Sequence, residues 1–218
     1  MLKHAGKKHK KPETPLASQI TLSIALGIVL AIIPFALLRN GYTGRVLVAD
    51  ERIKPPFDKA LIYLDAHSIE GTTGIILNKP LGDAQKSNLS AFIRNADIPV
   101  GYGGPMGLYD KLLVLHEKKP GTEETPPEYE LMDWDQAVRQ TPDLIKKMQD
   151  EQSKGESHYR IFTGYTSWRS FQLEMEYVFR GDWYVVPASH NLMFQTGNDV
   201  QWDAIVKQEK ARTAAEAK

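Results

Sequence analysis

Apolar residues follow three regimes along the chain. From Ile20 to Leu38 they run on without a charge, from Gly44 they break into short runs divided by Gly, Pro and charged residues, and near the C terminus they return at helical spacing. The first regime predicts a membrane-spanning helix, since 19 residues at about 1.5 Å each cover about 29 Å, close to the hydrocarbon thickness of a bilayer. A buried core helix is seldom apolar all round beside a basic tail. A cleaved secretory signal calls for a shorter apolar region and a small-residue exit. The exit here reads Phe35-Ala36-Leu37-Leu38-Arg39-Asn40, so a retained anchor is expected over residues 20–39. Pro34 kinks its last turn without forbidding the span.

Ahead of it, residues 1–19 carry Lys3, Lys7, Lys8, Lys10 and Lys11 with Pro12 and Pro15, too few apolar groups to fold, and a disordered tail is expected. A basic tail before the span favours a cytoplasmic N terminus with the domain carried across, toward the periplasm. Arg39, Arg45, Arg52 and Lys54 on the far side nearly balance that count and leave the orientation open.

In the second regime, Arg45–Ala49, Ala60–Ala66, Thr72–Leu77, Lys111–Glu117, Tyr159–Gly164 and Trp183–Val186 read as strands. Ile69-Glu70-Gly71 is a hairpin turn, and Lys79-Pro80 and Pro187 end their ladders. Leu89, Phe92 and Ile93 predict a short amphipathic helix over Ser87–Asn95. Pro99–Pro105, with three glycines between its ends, reads as a tight irregular loop. Lys118–Glu128 is a polar, exposed excursion. A helix is expected from Thr141-Pro142-Asp143, with Thr141 as N-cap and Gly155 as its stop, and another from Ser170 to Arg180, ended by Gly181. Asn198-Asp199-Val200-Gln201 resembles a capping box opening a last helix with Trp202, Ile205 and Val206 on one face, which fades into a polar tail over 208–218. Strands cluster early and mix with helices later without β-α alternation, so the class is α+β.

The formal charge of zero sums unlike parts. Residues 1–19 hold five Lys against one Glu, leaving 22 basic against 26 acidic residues in the remainder. A net-acidic domain makes nucleic-acid binding unfavourable, because phosphate neutralisation supplies most of such affinity. The absence of cysteine excludes disulfides, iron–sulfur clusters, thiolate zinc sites and cysteine nucleophiles.

Four segments stand in a recognisable order: Gly74-Ile75-Ile76-Leu77-Asn78-Lys79-Pro80; Tyr102-Gly103-Gly104-Pro105-Met106; Val114-Leu115-His116; and Gly164-Tyr165 with Trp168 and Gln172-Leu173-Glu174. With Gly44–Ala49 before them and Trp183 and Trp202 after, residues 44–207 resemble the YqgE/AlgH family of bacterial proteins. The resemblance implies a coiled, largely antiparallel sheet flanked by helices, with no established activity, and makes the membrane in question the inner one. Members are typically soluble and cytoplasmic, so the basic tail and span are additions. Arg169-Ser170-Phe171 also stands where a Gly-Pro-Gly-like turn is common.

Candidate chemistry centres on the strand-to-helix corner from Gly164 to Glu174. Tyr165, Trp168, Gln172 and Glu174 offer an aromatic platform beside an amide and a carboxylate for a partner protein or small ligand. The bland alternative makes Trp168 core and turns Gln172 and Glu174 to backbone N–H groups at the helix start. Gly103 and Gly104 form either an anion-binding nest or a turn made for packing, without the Lys-Ser/Thr ending of a P-loop. Asn78 is either a ligand contact or a strand-end residue bonded to backbone. The six histidines, at 4, 9, 67, 116, 158 and 190, include no i, i+3 or i, i+4 pair, so neither a metal site nor a cofactor is expected. No G-x-S-x-G elbow supports a serine hydrolase. The expectation is a non-enzymatic, membrane-tethered binding domain using the glycine loop, His116 and the corner. An enzyme would instead need His116 or His67 beside Glu174 or Asp65 in a cleft.

Overall fold

The computed structural model describes residues 41–122, 125–195 and 199–216. The tail, the apolar run 20–38 and the expected cap at Asn198 lie outside the described residues. Among the described residues no helix is long and apolar enough to cross a membrane.

Among the described residues, nine strands form two sheets. The first has the order β8 (Thr166–Arg169), β3 (Gly71–Ile76), β2 (Leu61–Ser68), β1 (Arg45–Ala49), β9 (Trp183–Pro187), antiparallel throughout. The second has the order β4 (Val100–Tyr102), β7 (Tyr159–Thr163), β5 (Leu112–Lys119), β6 (Glu128–Asp133), with only β4 parallel to its neighbour. The largely antiparallel expectation holds, but as two sheets. They meet where Ile76 N–H donates to Gly103 O at 2.9 Å, and Gly164-Tyr165 carries the chain from β7 into β8.

Strand pleating sorts the apolar residues. Val46, Val48, Leu61, Tyr63, Ile75 and Leu77 of the first sheet share a core with Leu115 and Phe162 of the second. Helices α6 (His190–Phe194) and α7 (Asp199–Glu216) close that core with Met193, Phe194, Trp202 and Val206. The opposite face of the first sheet, Leu47, Ile62, Leu64 and Ile76, packs with Trp168, Leu173 and Trp183. The opposite face of the second, Val114, Tyr159 and Ile161, is covered by Ala137 of α3 (Trp134–Gln140) and by Leu144 and Met148 of α4 (Leu144–Lys154).

Several boundaries differ from those expected. Val100–Tyr102 is a strand, because an edge position tolerates the flanking prolines, and Gly101 lets β4 lie against the Phe162 ring. The helix expected over Ser87–Asn95 is Ala91–Asn95 with Ser90 as N-cap, after a single turn over Asp83–Lys86. Thr141 closes α3, its N–H donating to Ala137 O, and Asp143 is the N-cap of α4. In the corner, Thr166–Arg169 is an additional strand. Helix follows only from Gln172, as a short α5 (Gln172–Glu174) running into a π-helix over Met175–Arg180 that Gly181 ends in left-handed geometry. The C-terminal helix continues to Glu216, through most of the expected polar tail.

Candidate functional site

The corner residues are turned inward. Trp168 is buried, and its indole N–H and that of Trp183 both donate to Glu176 Oε2 at 3.0 Å. Gln172, on the same helical face as Glu176, donates to Glu176 Oε1 at 3.0 Å and accepts from Arg169 N–H at 3.1 Å. These bonds tie helix to strand; Gln172 meets a backbone N–H as in the bland alternative, whereas Glu174 turns to His67 instead. Glu174 is buried with Oε1 3.3 Å from His67 Nε2, although neither atom has a well-aligned hydrogen bond. The His67 Nδ1 lies 2.8 Å from the Thr72 hydroxyl, and the Tyr42 ring packs edge-on against the imidazole at 4.9 Å. An imidazole–carboxylate contact of the kind an enzyme would need therefore exists, with side chains only 1% and 5% exposed.

The glycine loop is likewise a packing device. A Cβ at Gly103 would run into the carbonyl oxygen of Gly164, and one at Gly104 into that of Tyr165. Gly103 N–H is spent on Thr163 O at 2.9 Å, and Tyr165 exchanges backbone bonds with Met106. Asn78 locks the end of β3 to the start of β2, accepting from Leu61 N–H at 2.9 Å and donating to Lys59 O at 2.8 Å. His116 lies flat against Tyr159, centroids 4.4 Å apart, in the second sheet; burial and then the charge of Lys147 push its pKa down. Asp65 stands beside Glu130, and burial followed by that repulsion pushes its pKa up. The expected site residues thus do not converge on one concavity.

A different set does. Residues two apart on a strand share a face, so His158, Arg160 and Phe162 line one side of β7 and its approach, as Leu113, Leu115 and Glu117 do on β5. Toward Phe162 that face is core. Toward His158 it opens into a cleft of about 1030 Å³ lined by Asn78, Val100, Met148, His158, Arg160 and His190. Glu117 N–H donates to His158 O at 3.0 Å, which fixes the two residues in register, and His190 enters from the first turn of α6.

The Glu117 carboxylate, its side chain 4% exposed, lies between the two imidazoles. Its oxygens are 2.8 Å from His158 Nδ1, and 3.1 and 3.2 Å from His190 Nδ1. A carboxylate only accepts, so both rings donate to it from Nδ1. Burial raises the Glu117 pKa, but the two imidazole bonds outweigh it and hold the carboxyl below its ordinary range. Among the described residues this is the one group of three His or acidic side chains whose ligand atoms all lie close together, within 4.8 Å of one another. Arg160, which lines the same cleft, donates to Met193 O at 2.8 Å and Leu77 O at 2.7 Å and lies over the Phe162 ring; burial lowers its pKa to about 10. Among the described residues no carboxylate pairs with it. Helical spacing was the wrong test for these histidines, since one belongs to a strand's approach and the other to a distant helix. The alternation of His158, Arg160 and Phe162 was the available signal.

The family model described as AlgH-like matches residues 46–214. The chain is 28% identical over 180 residues to a UPF0301 protein of Chlamydia caviae, covering 82% of this chain and 90% of that one. It is 31% identical over 168 residues to a UPF0301 protein of Psychrobacter cryohalolentis, covering 72% and 83%. Among solved structures, the AlgH protein from Pseudomonas aeruginosa matches with a TM-score of 0.54 and 21% identity over 77% of this chain and 88% of that one. A protein from Corynebacterium diphtheriae matches with a TM-score of 0.52 and 21% identity over 76% and 85%. At such identities the structural likeness speaks to fold alone.

Proposed function

The chain belongs to the AlgH-like family, and from that premise we propose that it is a non-catalytic binding domain, held at the inner membrane by residues 20–38, that takes a small anionic ligand in the cleft between α4 and α6. Arg160 carries this reading. Arg160 lines the cleft, and its two side-chain bonds go to main-chain carbonyls, which orient the guanidinium without cancelling its charge. An anionic ligand would supply the missing counter-charge in a bidentate geometry that arginine favours. The corner, by contrast, spends its polar groups internally.

The test is thermal denaturation of the full-length chain in detergent with inorganic phosphate, citrate, oxalate and AMP, each with and without Arg160→Gln. A ligand at 100 times its Kd stabilises by about 2.7 kcal/mol, a shift of several degrees for a domain of this size. At least one probe is expected to shift the wild type and leave the variant, with unchanged circular dichroism, where it was. Equal shifts in both chains, or none in either, would overturn the reading.

A second reading, capture of a partner protein, draws on the π-helix, where Met175, Val178 and Phe179 are exposed. A photo-crosslinker at position 179 that yields a specific adduct, lost on Met175→Ser, would favour it.

A further inference from the structure

We infer that Glu117, His158 and His190 form a mononuclear site for a divalent transition-metal ion of the zinc type, bound by one carboxylate oxygen and two imidazole nitrogens with its open position turned to the cleft. This rests on the reading of the cleft as the binding surface and adds an ion to it. Two imidazoles and a carboxylate, with a fourth position left for water or ligand, are a ligand set that zinc uses in open sites. Imidazole donors disfavour calcium and magnesium, which seek oxygen.

The spacing is suitable. Ligand atoms about 2.0–2.1 Å from a tetrahedral ion stand roughly 3.3 Å from one another. The three residues hold their atoms 2.8–3.2 Å apart across the two carboxylate–imidazole contacts and within 4.8 Å overall. Insertion therefore calls for small side-chain rotations and no backbone movement. Each imidazole exchanges its Nδ1 proton for the ion by taking the other tautomer, and its Nε2–H then faces outward. The histidine side chains are 42% and 44% exposed, so this outward N–H reaches water, while the buried carboxylate supplies the negative charge.

The charge balance also changes. A divalent ion adds two positive charges next to the single Glu117 carboxylate, in the cleft that Arg160 also lines. The loaded cleft would hold a carboxylate- or phosphate-bearing ligand between ion and guanidinium. A carboxylate merely satisfied by two imidazoles would need no ion, and the two cases separate by experiment.

The full-length chain in detergent, stripped with a chelator, is dialysed against Zn²⁺, with metal content read by mass spectrometry and affinity by calorimetry. One zinc per chain is expected, with affinity about 100-fold or more weaker in His158→Ala, His190→Ala and Glu117→Gln. It should be unchanged in the control His4→Ala/His9→Ala, which removes the tail histidines. Substitution with Co²⁺ gives a second readout: visible absorption of tetrahedral intensity in the wild type and none in His190→Ala, whose half-exposed side chain can be removed without disturbing the core. No stoichiometric uptake, or uptake that survives all three substitutions, would overturn the inference. If the stripped chain still shows Arg160-dependent stabilisation by an anion without taking up zinc, the ion is wrong and the cleft reading stands. Zinc held by the three residues with no anion response leaves the ion and removes the anionic ligand.

Discussion

Asp50 illustrates how one side chain ties the edge of the first sheet to its neighbours. Its Oδ1 accepts from Arg52 N–H at 3.0 Å and Nε at 2.6 Å, and its Oδ2 from the Tyr184 hydroxyl at 3.0 Å. Burial alone would raise its pKa, but the Arg52 and Tyr184 bonds prevail and hold it below the ordinary value of 3.8. A depressed carboxylate stabilises the fold above its unfolded pKa, and that contribution disappears as pH falls through the folded one. Asp50→Asn is therefore expected to cost about 1 kcal/mol at neutral pH, discounted because Arg52 is largely exposed. The deficit should shrink as pH falls below the ordinary carboxylate range and through the lower folded value, and urea denaturation from neutral to acidic pH checks it. A deficit constant with pH would show that shape rather than charge matters here. At this scale the sequence was informative where a residue acts through its own backbone neighbourhood. Asn78 does what a strand-end asparagine does, and Gly103 and Gly104 sit where no side chain fits. Glu117, His158 and His190 were not legible, since their meeting depends on pairing between segments far apart in the chain.

Elements were legible where one pattern governed them and obscure where two competed. Strands β1, β2, β3, β5, β7 and β9 follow from apolar runs bounded by Gly and Pro. Strand β6 and helix α3 follow a polar, proline-bearing stretch that gave no periodic cue. With α3 unseen, Thr141 looked like the start of a helix when it was the end of one. At the corner the sequence predicts a direct strand-to-helix passage, because β8 is only four residues long. Its turn carries a cost: Phe171 precedes α5 at φ 60°, a left-handed conformation unfavourable to a residue with a Cβ. Phe171→Gly is expected to raise stability by about 1 kcal/mol, the left-handed penalty outweighing glycine's extra freedom in the unfolded chain. Phe171 is 38% exposed, so lost packing offsets only part of that gain. A lower melting temperature for this variant would mean that the ring's contacts outweigh the strain.

On the scale of the whole molecule, the proposed tether over residues 20–38 is open to a direct test. The full-length chain is expected to stay with the membrane pellet through alkaline carbonate extraction, and Ile32→Arg/Ile33→Arg to release it, since each central charge costs about 2.5–3.5 kcal/mol of insertion. Fractionation of both chains decides this, and a wild-type chain in the supernatant would remove the anchor. The described fold begins at its N-terminal end by entering β1, an interior strand bonded on one side to β2 and on the other to β9. A pull arriving through Gly41 acts along that strand, and ladder bonds perpendicular to it must yield together rather than one by one. The far end is held differently, by α7, through Trp202, Val206 and a bond from the Trp202 indole to Ala49 O at 2.7 Å. Stretched between its ends in optical tweezers, the molecule should lose α7 first in a small low-force step and rupture the first sheet only at much higher load. The fold is thus mechanically polar, stiff at its N-terminal attachment and compliant at its C-terminal end.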